Sequence, residues 1–229
     1  MKIIVSTCDE HGWLIPVFMY FYRKYWPDNP YKTDIVTEKK HIDGSVFYTR
    51  GVAWSSGILE YIKQSKEQKF LLFLEDLLIR KMVDTERIRM AEKLCTGDVG
   101  YVRVSNVPTG YFLNHSKSGA IKGFRQYSLN RRFSAGLQPS IYQKKYLLDY
   151  LRKGETPWQT EQNGAVRLQK LKHKWRSLWP ESSIIHSQPP GLMKRGRLIS
   201  ASLRGVKREL RKDATTESND IHEIFQAHG

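Results

Sequence analysis

The chain has 229 residues, 40% hydrophobic and 27% charged, with nine Phe, twelve Tyr and six Trp; this suffices for one α/β domain with a full core and excludes a disordered chain. A formal charge of +15 predicts attraction to a polyanion, whether nucleic acid, anionic membrane or acidic glycan, without choosing among them. No run of about 18 apolar residues occurs, and the opening MKIIVSTCDEHGW soon turns polar, so the expectation is a cytoplasmic protein with neither membrane span nor secretory signal.

The first hundred residues alternate strand and helix signals. Lys2 to Thr7 is a β-branched run that reads as a buried strand, and Trp13 to Trp26 places Leu14, Phe18, Phe21 and Tyr25 on one helical face. Asp34 to Thr37 and Ser45 to Tyr48 are short strands. Trp54 to Lys63 carries Trp54, Ile58, Tyr61 and Ile62 at helical spacing, Lys69 to Leu74 is an apolar strand, Thr85 to Cys95 is a helix, and Gly100 to Val104 is a strand. That order predicts a central, mostly parallel mixed sheet with helices on both faces, whose ligands bind beyond the carboxyl ends of the strands.

Ser105 to Gln138 reads as a loop rich in Gly, Ser, Asn and basic residues. Ser140 to Leu151 and Glu161 to Leu171 are strand or helix, separated by the turn KGETPW. Ile199, Leu203, Val206 and Leu210 mark one face of a basic amphipathic helix, a C-terminal extension that docks on the domain. A main domain over 1–212 and a polar, frayed tail over 213–229 are expected.

The charge is uneven. No acidic residue falls between Asp98 and Asp149, and from Arg167 to Lys212 thirteen Lys or Arg face two Glu. Lys117, Lys122, Arg125, Arg131 and Arg132, all within the loop from Ser105 to Gln138, are therefore candidate polyanion contacts. The two cysteines, Cys8 and Cys95, predict reduced thiols.

The sharpest motif is LFLEDLL. Two carboxylates directly after an apolar strand, Glu75 and Asp76, need compensation, which a hard cation with a bound diphosphate would supply; Mg²⁺ and Mn²⁺ favour such oxygen donors. The alternative is that the pair caps the following segment. Asp9 and Cys8 follow the first strand, where they contact a ligand or form a simple turn. Arg50 and Trp54 line the same pocket, or Trp54 is core. His186 precedes SQPPGLMKRGR, so it is a metal ligand with Lys194, Arg195 and Arg197 holding a departing diphosphate, or part of a basic surface loop. Glu161 in PWQTE is a general base, or a helix-start carboxylate.

The segments STCDEHGWLIPVFMYFYRKYWPDNPY, TRGVAWSSGILEYIK, FLLFLEDLLI, SIYQKKYLLDYLRKGETPWQTEQNGAVR and HSQPPGLMKRGRL together resemble a bacterial and phage glycosyltransferase family of the A-type (GT-A) fold. The resemblance implies a nucleotide-sugar donor, a UDP-sugar first among them; the charge asymmetry gives the donor to the near-neutral residues 1–104 and the acceptor to the basic residues 105–212. It implies that Asp9 contacts the nucleoside, that Glu75 and Asp76 bind Mn²⁺ or Mg²⁺, and that Glu161 faces the acceptor in an inverting transfer. The pair is Glu-Asp where Asp-x-Asp is commoner. With the basic charge, the preferred acceptor is a hydroxymethylated pyrimidine in double-stranded phage DNA. A lipopolysaccharide or capsule transferase at a membrane surface and a non-catalytic nucleic-acid-binding protein are the alternatives. No obligate protein partner is expected.

Overall fold

The computed structural model describes residues 1–38, 45–48, 52–105, 116–118, 121, 123–130, 135–187, 191–194 and 197–228. In chain order the elements are β1 (Lys2–Ser6), α1 (Leu14–Tyr25), β2 (Thr33–Thr37), β3 (Ser45–Tyr48), α2 (Trp54–Gln64), β4 (Lys69–Leu74), α3 (Thr85–Leu94), β5 (Val99–Arg103), β6 (Ser116–Ser118), β7 (Phe124–Tyr127), β8 (Ser140–Gln143), α4 (Lys144–Tyr150), α5 (Pro157–Lys170), β9 (Arg176–Pro180), β10 (Met193–Lys194), β11 (Arg197–Leu198), α6 (Ser200–Asp213) and α7 (Thr216–His228).

A nine-stranded sheet runs in the order β3-β2-β1-β4-β8-β5-β9-β7-β6. Pairing is parallel from β3 to β4 and between β5 and β9; β8 inserts antiparallel to both β4 and β5, and β7 is antiparallel to β9 and β6. The expected mixed sheet is thus parallel in its first half and mixed in its second. Side chains alternate across each strand, so both faces of the central strands are covered. Ile3, Val5, Leu71 and Phe73 pack with α1, α3, α6 and α7 on one side, while Ile4, Phe70 and Leu72 pack with α2, α4 and α5 on the other. Ile3, Ile4, Val5, Phe70, Leu71 and Phe73 are fully buried. Two cores separated by one sheet explain why KIIV and FLLF read as unbroken apolar runs.

Two expectations need correction. The stretch after Asp213 is not frayed: α7 covers Thr216–His228 and buries Ser218, Ile221 and Phe225. Phe225 meets Trp13 edge-on with centroids 5.9 Å apart. The pair α6–α7 is clamped to α1, with Tyr20 donating to Asp213 at 2.6 Å and Lys24 Nζ lying 2.9 Å from Glu209, which also takes Arg80 at 2.6 Å. The region 105–138, expected to be a loop, contributes β6 and β7 to the sheet edge. Among the described residues no helix is long and apolar enough to cross a membrane.

Candidate active-site cleft

Strand register builds the site. Ser6 pairs in parallel with both Val36 and Leu74, so the residues after β1, β2 and β4 leave the sheet side by side. That brings Thr7 and Cys8, Glu38, and Glu75 and Asp76 to one edge. The antiparallel β8 starts at the same edge, Ser140 lying opposite Leu72, which adds Leu137 and Gln138 from its approach. The far wall is the start of α5. Thr156 and Gln159 form a reciprocal capping box there, with Pro157 in the first turn. The turn before it is tied to the start of α2 by Gly154 N–H to Ser56 at 2.9 Å and Glu155 N–H to Ser55 at 2.8 Å. Arg167 donates to both oxygens of Glu155, at 2.7 and 2.8 Å.

The resulting cleft encloses about 730 Å³, and its lining includes Cys8, His11, Glu38, Trp54, Glu75, Asp76, Trp158 and Glu161. Four of its lining residues are carboxylates, and no Lys or Arg is among the described residues that line it. Burial, with the Glu75 charge next, pushes the Asp76 carboxyl up to about 7. The backbone from 191 to 193 folds over Asp76: Leu192 N–H donates to its carbonyl at 3.0 Å and Met193 N–H to Oδ2 at 3.4 Å. Gly191 permits that approach, because its φ is +108° and a Cβ there would stand 2.6 Å from Asp76 Oδ2.

Glu75 is 6% exposed and faces His11, whose Nδ1 lies 3.2 Å from Oε1. Hydrogen bonds to Cys8 and then to Glu75 push the His11 imidazole up to about 10, against a burial effect of opposite sign. Glu161 Oε1 accepts the Leu137 N–H at 2.7 Å. Burial raises the Glu161 carboxyl above the ordinary range, while the Leu137 N–H and the Arg103 charge pull it back. Arg103 is itself buried and lies 4.5 Å from the Trp179 ring centroid. Trp158, 61% exposed, presents an open aromatic face at the cleft.

The structure therefore gathers Cys8, Glu75, Asp76 and Glu161 in one cleft. Trp54 serves both readings, lining the cleft while its indole N–H donates to buried Ser6 at 2.7 Å. Asp9 sits beside the cleft, its N–H donating to Glu38 at 3.3 Å. Arg197 is exposed in a neighbouring hollow of about 380 Å³ that shares His11 and Met193 with the cleft. His186 does not line the cleft: its carbonyl accepts the Arg80 N–H at 2.8 Å, and burial, then Lys81 and Arg87, depress its imidazole below the ordinary range. Arg125 pairs with Glu181 at 3.1 Å. Lys117 and Lys194 lie in β6 and β10, with side chains outside the described residues; Arg50, Lys122, Arg131, Arg132 and Arg195 fall outside them entirely. His11 was invisible to the sequence reading, and its only signal is the Cys8-x-x-His11 spacing of a turn closed by His11 N–H to Cys8 carbonyl at 3.1 Å.

No protein-family model and no curated protein matches the chain. Solved structures do match. A CMP:2-keto-3-deoxy-manno-octonic acid synthetase complexed with CTP aligns at TM-score 0.53 and 9% identity over 93% of this chain and 98% of that one. The mannosyltransferase PcManGT from Pyrobaculum calidifontis, in complex with GDP-Man and Mn²⁺, aligns at 0.51 and 15% over 92% and 60%. Residues 1–349 of S. aureus TarS align at 0.50 and 13% over 99% and 71%. At such identities the likeness concerns the fold: a mixed α/β sheet flanked by helices, as in nucleotide-sugar transferases of GT-A type.

Proposed function

We propose that this chain is a metal-dependent glycosyltransferase that moves a sugar from a nucleotide-sugar donor to a hydroxyl acceptor. The observation that carries the reading is the charge of the cleft. Glu38, Glu75, Asp76 and Glu161 line it with no described Lys or Arg and with His11, already facing Glu75, as the cation among the described lining residues, so carboxylate outweighs positive charge where a diphosphate would sit. A divalent cation held by Glu75 and Asp76 would supply the positive charge that a diphosphate needs there. Glu75 and Asp76 would supply hard oxygen donors that fit Mn²⁺ or Mg²⁺, and Asp76 is a partly buried acid that a cation would relieve of its neighbour's charge. When bound, the ion stabilises charge on the departing diphosphate.

The residues then divide the work. Cys8, Asp9 and Trp54 receive the nucleoside, for which a UDP-sugar is the first candidate. Arg197, with Lys194 and Arg195, supplies cations toward the diphosphate end. Glu161, placed across the cleft, takes the proton of the acceptor hydroxyl as that oxygen bonds to the sugar carbon; the bond to the diphosphate breaks on the opposite face, giving inversion. Burial of Glu161 suits it to this role. Trp158 offers a platform on which an acceptor ring stacks.

The acceptor is read from the surface. Arg204, Lys207, Arg208, Arg211 and Lys212 form a cationic strip along α6, which suits a polyanion held through its phosphates. Our preferred acceptor is a hydroxymethylated pyrimidine in duplex DNA. The same strip fits an anionic membrane, so a lipid-linked glycan acceptor is the second reading. A transfer screen by mass, with nucleotide sugars and Mn²⁺ against hydroxymethylated duplex, plain duplex and glycolipid, tests both. A nucleoside triphosphate arm separates sugar transfer from nucleotidyl transfer. DNA binding without any response to nucleotide or metal would leave a non-catalytic binding module instead.

A further inference from the structure

The cleft contains a second donor set, chemically unlike the Glu75–Asp76 pair. We infer that Cys8, His11 and Glu75 form a binding site for a thiophilic divalent cation of the zinc class. One sulfur, one imidazole nitrogen and one carboxylate oxygen from these residues all lie within 4.8 Å of one another. Ligands held at about 2.0–2.3 Å around one tetrahedral ion stand about 3.3–3.8 Å apart, so closing the set needs side-chain movements of about 1 Å.

The scaffold presents these donors from well-anchored positions. Cys8 and His11 belong to one turn, closed by His11 N–H to Cys8 carbonyl at 3.1 Å and joined to α1 by Leu14 N–H to His11 carbonyl at 2.8 Å. Glu75 arrives from β4, whose last residue is in register with the last residue of β1. Its carboxylate already faces the imidazole at 3.2 Å. Asp76 does not belong to the set, being turned to Met193 N–H. Three protein donors facing an open cleft leave a fourth position for water or a ligand atom.

Donor chemistry decides which ion is taken. Thiolate and imidazole favour Zn²⁺ and Co²⁺ over Mg²⁺ and Mn²⁺, which prefer oxygen. Because Glu75 is common to both sets, a zinc-class ion in the triad withdraws a ligand from the hard-metal position. Resting on the transferase reading, Zn²⁺ is therefore an inhibitor of transfer competing with Mn²⁺.

Co²⁺ is the probe, added to the full chain with no donor present. The expected result is one equivalent bound, with an intense near-ultraviolet thiolate-to-cobalt band and strong visible bands of tetrahedral cobalt, both displaced by Zn²⁺. Cys8→Ser abolishes the thiolate band and His11→Gln weakens Zn²⁺ affinity at least about tenfold, whereas Cys95→Ser, at a buried thiol away from the cleft, keeps both. Circular dichroism confirms that each variant is folded. Absence of the band in the wild-type chain, or its persistence in Cys8→Ser, overturns the site. Mn²⁺-dependent nucleotide binding measured on the same samples is a separate readout, so loss of the zinc site and loss of the transferase reading are told apart.

Discussion

Glu161 Oε1 accepts the Leu137 N–H at 2.7 Å, tying the second turn of α5 to the segment that leads into β8 across the mouth of the cleft. The bond fixes the carboxylate through one oxygen and leaves the other for chemistry. It also makes a clean variant available, since an amide oxygen can accept the same N–H.

Glu161→Gln is expected to fold with a Tm within a few degrees of wild type and to bind donor equally, yet to lose turnover by about 10²-fold or more. Steady-state kinetics beside donor titration measure this. Turnover within a factor of a few of wild type would remove Glu161 as the base.

Asp76 gives the pH dependence. A carboxyl whose folded pKa exceeds its unfolded one binds its proton more tightly in the folded state. The stability this contributes is present below the unfolded value near 4 and lost as pH rises through about 7. Metal-free Asp76→Asn should therefore melt higher than wild type at about pH 8, by up to roughly 3–4 kcal/mol, with the gap closing toward pH 4. Mn²⁺ with nucleotide should reverse the order, because only wild type keeps both carboxylate ligands. Melts in EDTA showing wild type more stable at pH 8 would contradict the burial argument.

Gly191→Ala places a methyl 2.6 Å from Asp76 Oδ2 on a backbone at φ +108°. Roughly 1–3 kcal/mol of strain is expected, together with weaker Mn²⁺-assisted nucleotide binding as the carboxylate is displaced. A titration equal to wild type would show that the 191–193 segment does not position Asp76.

Phe225 is fully buried against the body of the domain, with Trp13 at its edge. Phe225→Ala should cost about 3–5 kcal/mol and lower Tm by about 10 °C. A change under about 2 °C would mean that α7 adds nothing to the core.

Much of this fold was legible, and the reasons differ by element. KFLLFL and KIIVS are apolar on both faces because each lies between two strands and two helical layers, so their strand character and their polar ends at Cys8 and Glu75 were readable from residue type. The terminal helix was not, because TESNDIHEIFQAH is polar apart from a thin stripe whose buried members are Ile221 and Phe225. Arg176–Pro180 was missed because RSLWP is short and follows a basic turn, so only pairing with β5 and β7 defines it. In the site, Glu75, Asp76 and Glu161 could be proposed from motif position. His11 could not, since its meaning depends on a turn that folds it onto Glu75. His186 reads by sequence as a metal ligand or as part of a basic surface loop; it stands outside the lining of the cleft, near Lys81 and Arg87.

The central claim is that this carboxylate-lined cleft takes a nucleotide diphosphate only together with a divalent cation. Calorimetric titration of UDP, and of a panel of other nucleoside diphosphates, into the full chain with Mn²⁺ and again in EDTA tests it directly. The account predicts saturable uptake of at least one nucleotide with Mn²⁺, none in EDTA, and none in Asp76→Asn under either condition. Equal affinity in EDTA, or no uptake of any nucleotide with Mn²⁺ present, would contradict it.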